Sequence, residues 1–152
     1  MLLAAILAGI IGTVIMNLSS ETEMAWRGRA ASTAPGRATN KVLSFAGVPE
    51  LDERPLAVLS TWTHYLYGAA WGVYLWLLMG VADLPIAVGG PLFFLGVWLV
   101  EQIQLPVLGV APWSWTWGAK EVAIDVGHHA AYATGTMGAW VLIGVAANQV
   151  VT

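Results

Sequence analysis

Met1–Ser20 reads MLLAAILAGIIGTVIMNLSS and contains no charged side chain. A helix of about 20 apolar residues crosses a bilayer core of about 30 Å. A secretory leader would instead show a basic start, a shorter apolar run and a small-residue cleavage site. The stretch therefore predicts a retained transmembrane helix. Composition points the same way. The chain is 58% hydrophobic and 10% charged, with a mean hydropathy of +0.71, where soluble domains hold roughly 25% charged residues. It has no cysteine, which excludes disulfides and thiolate chemistry, and a formal charge of −3, which gives nucleic acid nothing to bind. Nine tryptophans and four tyrosines suit a membrane–water interface.

Working outward from that first segment, three more apolar stretches follow. The pattern predicts one all-α domain over 1–152, an integral membrane four-helix bundle with spans at about 2–22, 55–80, 86–107 and 119–150. The polar stretch 27–54 holds Arg27, Arg29, Arg37, Lys41 and Arg54, five of the six basic residues, and Pro35–Ala46 reads as a short surface helix within it. The sixth, Lys120, lies in the third connection. The positive-inside rule puts both connections in the cytoplasm and both termini outside, in a multi-pass protein of the cytoplasmic membrane. Small residues recur as Ala4, Ala8 and Gly12, as Gly68 and Gly72, and as Gly127, Ala131, Gly135 and Ala139. This spacing lets helices approach closely, within the chain or in a homo-oligomer or a partner membrane subunit. Trp113, Trp115 and Trp117 read as interfacial anchors.

The polar exceptions carry the functional question. Glu121–Tyr132, EVAIDVGHHAAY, opens the last span with Glu121, Asp125, His128 and Tyr132 along one helical face. Counted from the basic side, Glu21, His64, Glu101, Asp125 and His128 fall at comparable depth on four different helices. Ionisable groups in lipid are costly, so the pattern predicts one inward-facing polar layer near the cytoplasmic side. The layer could handle protons, an ion or a small polar ligand. His64, Glu101, Asp125 and His128 are also a candidate set for a divalent metal, and Asp125 and His128 have the i, i+3 spacing of carboxylate-bridged bundles, though only one such motif occurs. A tetrapyrrole on His64, His128 or His129 is a further alternative. Structural readings stand beside these: Glu121 complementing a helix start, His129 facing a neighbouring helix or the headgroups, Glu21 solvated beyond the span, and His64 bonding between helices. No catalytic triad, phosphate loop or zinc-protease motif occurs, so the sequence offers no support for an enzyme.

An ordered set of residues adds a family likeness. Thr63 and His64 open a helix that continues to Tyr74; Gly90, Pro106, Gly109 and Pro112 follow, then a Trp-bearing loop, Glu121, Gly127 and His128. This second half resembles the YagU-like family of small bacterial inner-membrane proteins, with Glu101 where that family would place His. The resemblance implies a multi-span inner-membrane protein linked to acid tolerance, and it marks His64, Pro106, Gly109, Glu121 and His128 without implying a mechanism. The residues and the likeness together lead to three expectations: a membrane protein with a buried acid–His site, a structural subunit of a larger membrane complex, or a metal-dependent membrane enzyme.

Overall fold

The computed structural model describes the backbone of residues 1–151 and the side chains of residues 1–146. It is all-helical, with five α-helices: α1 (Leu2–Arg27), α2 (Ala34–Ser44), α3 (Glu53–Trp76), α4 (Ile86–Val107) and α5 (Ala119–Val151). A single π-helical stretch, Leu77–Val81, extends α3, and a 3-10 turn, Ser114–Thr116, lies in the tryptophan loop. Helix boundaries follow local chemistry. Gly28 closes α1 in the left-handed conformation at φ 65°, where a Cβ is costly, and its N–H returns to Met24. Pro35 sits in the first turn of α2, where its missing N–H is harmless. Gly109 and Gly118, at φ 69° and 87°, bracket the tryptophan loop.

α1 packs between α3 and α5, α2 lies on α3, and α4 leans on α5. The expected small residues Gly12, Gly68 and Gly72 lie at close helix contacts, but on α1 it is Ala5 and Gly9, outside the expected Ala4–Ala8–Gly12 series, that meet α3. A Cβ on Gly72 would lie 2.1 Å from the Ala5 carbonyl oxygen, and one on Gly9 would lie 2.2 Å from that of Gly68. α1 and α3 therefore meet backbone to backbone, an approach that only glycine and alanine permit. Gly12 faces Thr136 and Tyr132 in the same way, so α1 touches α5 through its other small residues. Beyond the small residues, the core is aromatic: Tyr74, Phe93 and Tyr132 run as a chain of ring contacts at 6.0–6.1 Å from α3 through α4 to α5.

Two helices, α1 and α4, are long and apolar enough to cross a membrane. α3 carries Glu53, Arg54 and His64, and α5 carries Lys120, Glu121, Asp125, His128 and His129. Large apolar side chains nevertheless point outward on all four, among them Leu3, Leu66, Ile103 and Leu142, which are 57–71% exposed.

Candidate functional site

The polar layer is built mainly where α4 meets α5. Asp125 lies a turn and a half into α5, and two donors from α4 reach one of its oxygens. Trp98 Nε1 donates to Asp125 Oδ2 at 2.8 Å, and Gln102 Nε2 donates to the same oxygen at 3.0 Å. Both donors are neutral, so they orient the carboxylate without cancelling its charge. Trp98 and Gln102 are one turn apart on α4, which is why both can reach one acceptor.

His129, one turn after Asp125, is 2% exposed and belongs to the centre of the site. Its Nδ1 lies 2.9 Å from the Asp125 carbonyl oxygen and 3.5 Å from Asp125 Oδ1. A carbonyl only accepts, so Nδ1 carries the hydrogen and Nε2 is turned towards α4. There it meets Glu101 Oε2 at 2.5 Å, and one proton lies between nitrogen and oxygen. Glu101, Asp125 and His129 thus each present a donor atom within 4.8 Å of the other two.

This grouping differs from the expected set. His129, expected to face a neighbouring helix or the headgroups, is the imidazole at the centre. His128 instead turns to α1, where its Nδ1 lies 2.9 Å from Ser19 Oγ and its Nε2 lies 3.9 Å from Glu23 Oε2. The cause is helical rotation: residues three and four after Asp125 diverge to opposite sides of it, one side covered by α1 and the other by α4. His64, on α3, shares the cavity with Glu101 and His129 but stands outside the three-residue group. Among the described residues, Glu101, Asp125 and His129 come within 4.8 Å of one another, while His64 and His128, of the expected set, line the same cavity outside that group.

Glu121 and Glu21 also fall outside the group. Glu121 stands in the first turn of α5, as a helix-start carboxylate should. It also takes a two-pronged bond from Arg27 at the end of α1, at 3.0 and 2.7 Å. Arg27 reaches Glu23 as well, at 2.8 Å, and Arg29 joins the same carboxylate. The result is a charged clasp holding the ends of α1 and α5 together. Glu21, one side of the helix away, is exposed at the rim of the cavity. Glu23 is the acid that the clasp uses, and its i, i+4 spacing to Arg27 was the available signal.

Above the cluster is a cavity of about 720 Å³, bounded by all five helices. Thr39 from α2, His64 and Tyr67 from α3, and Glu101, Asp125 and His129 line it. α2 is held over it partly by Thr39, whose hydroxyl lies 2.9 Å from that of Thr63 on α3. Tyr67 donates to Gln104 Oε1 at 2.8 Å and closes the wall between α3 and α4. Below, Tyr132 donates to the Gly68 carbonyl at 2.7 Å and seals the floor. Arg29 of the charged clasp and Ala34, Pro35 and Ala38 of α2 line the same cavity as the carboxylates and imidazoles.

The residues of the family likeness have structural duties here. Pro106 lies in the last turn of α4, Gly109 makes the left-handed turn after the helix, and Tyr74 packs against Gly96 and Phe93. No family model, curated protein or solved structure matches the chain.

Proposed function

We propose that the chain is a small four-span protein of the cytoplasmic membrane that takes up a cation or small polar ligand into its cavity from the cytoplasmic side. The observation that carries this reading is the placement of Glu101, Asp125 and His129 at the base of a cavity of about 720 Å³. Ionisable side chains at membrane depth are costly, so their collection at one water-accessible place calls for a ligand. The volume fits the usual range of about 300–1,000 Å³ for small-molecule sites. Orientation follows from the basic residues, which lie in the first and third connections beside the cavity mouth. The outward-facing leucines and valines of α3 and α5, Val58, Leu66, Val141, Leu142 and Val145, support four spans, with α3 and α5 presenting their polar faces inward.

The absence of cysteine makes a direct test available. Thr63→Cys places a thiol in the cavity wall, and Leu66→Cys places one on the outer face of α3. A water-soluble maleimide should label Thr63→Cys in inside-out vesicles and not in right-side-out ones. Leu66→Cys should stay unlabelled in both, being in lipid. Equal labelling of the two positions would sink the membrane-cavity reading.

A further inference from the structure

We propose that Glu101, Asp125 and His129 form a binding site for a single first-row divalent transition-metal ion of the Zn2+, Mn2+ or Fe2+ class. The inference rests on the cavity reading above and names the ligand class of that site. Three observations converge on it. First, one imidazole nitrogen and two carboxylate oxygens converge within 4.8 Å, a mixed nitrogen–oxygen set that suits these ions better than Mg2+ or Ca2+, which favour oxygen alone.

Second, each ligand is already held by a partner behind it. His129 Nδ1 donates to the Asp125 carbonyl at 2.9 Å, which turns Nε2 towards Glu101 on α4, while Asp125 Oδ1 lies 3.5 Å from Nδ1. Protein imidazoles that bind metals are oriented in this way. Trp98 and Gln102 hold Asp125 Oδ2 and leave Oδ1 for the ion. Glu101 Oε2 and His129 Nε2 face each other across one proton. An ion would displace that proton into the solvent of the cavity: the hydrogen bond breaks, two metal–ligand bonds form, and no oxidant or reductant is required.

Third, Gln102, only 8% exposed, has a carbonyl oxygen without a hydrogen-bond donor among the described residues, on the amide that holds Asp125. Buried amide oxygens are rarely left unpaired, and the amide that carries this one is bonded through Nε2 to the carboxylate of Asp125. With three protein ligands and a face turned to the cavity, the arrangement has the open character of sites that keep a position for water or substrate.

The test is equilibrium dialysis of the full-length protein in detergent against Zn2+, with Mg2+ as control and elemental analysis as readout. One Zn2+ per chain should bind, with about one proton released. Glu101→Gln and His129→Gln should each weaken binding by about 100-fold or more, and Gln102→Leu, which spares the ligands, by roughly 10- to 100-fold. His128→Ala should bind as the parent does. If a ligand variant loses its helical circular dichroism, the Gln102→Leu comparison decides. No stoichiometric Zn2+, equal affinity for Mg2+, or unchanged binding in Gln102→Leu and His129→Gln would overturn the site. If Zn2+ fails to bind while Thr63→Cys still labels from the cytoplasmic side, the metal is refuted and the cavity stands. If both fail, the cavity reading falls with it.

Discussion

At the scale of single residues, the difference between His128 and His129 decides what the site is. They are neighbours in sequence and share an identical side chain, yet one serves the helix contact and the other the acid cluster. His129 sits between Glu101 and Asp125, whereas His128 rests on Ser19. The charged clasp is also a residue-scale device. Arg27 lies between Glu23 and Glu121 and ties two helix ends that are distant in sequence. Reversing one member should repel where it attracted. Arg27→Glu and Glu121→Arg should each lower the midpoint of detergent-induced unfolding, and the double exchange should recover most of the loss. Two additive losses would show that the pair does not interact across the α1–α5 contact.

At the scale of elements, the bundle depends on how closely α1 approaches its neighbours. Gly72 lies against the Ala5 backbone and Gly9 against that of Gly68, so neither position has room for a side chain. Gly72→Leu should therefore force α1 and α3 apart and destabilise the fold by about 1–3 kcal/mol or more, as overpacking does. Gly127, on α5, has open space around it, and Gly127→Ala should leave stability nearly unchanged or slightly raised by the gain in helix propensity. Unfolding midpoints of the two variants check the pair, and similar losses at both would contradict the packing described here. The same contrast separates two uses of one motif. The glycines of α3 and the small residues of α1 are consumed within the chain, while Gly127 leaves part of the α5 stripe uncovered.

At the scale of the whole molecule, charge asymmetry and site position reinforce each other. All six basic residues lie in, or at the edges of, the first and third connections, and one of them, Arg29 of the clasp, lines the cavity. The topology predicts that reporter fusions at both ends of the chain will be active only outside the cytoplasm, while a reporter inserted after Gly47 will be active inside. Activity on the same side for a terminus and for the first loop would refute the four-span arrangement. Among the described residues, α1 and α4 pass as spans by apolar content. α3 and α5 bring polar side chains to the cavity, His64 and Tyr67 from one and Asp125, His128 and His129 from the other.

Much of this was legible in the sequence. Apolar length marked the four long helices, and Pro35 marked the short one, because backbone hydrogen bonds and burial act over contiguous residues. Small-residue spacing marked the close helix contacts, and Glu101, Asp125 and His64 were visible as polar groups at one depth. The π-helical extension of α3 and the Arg27–Glu121 pair were not foreseen, since both depend on where one helix end meets another. The decisive step belonged to tertiary structure. Helical periodicity places His128 and His129 almost equally well beside Asp125, and no local rule tells which neighbour lies on which side. Only the packing of α1 on one flank of α5 and α4 on the other selects His129 for the cluster. The sequence by itself determined the helices and the polar layer, while the rotation of α5 between its neighbours determined which side chains meet.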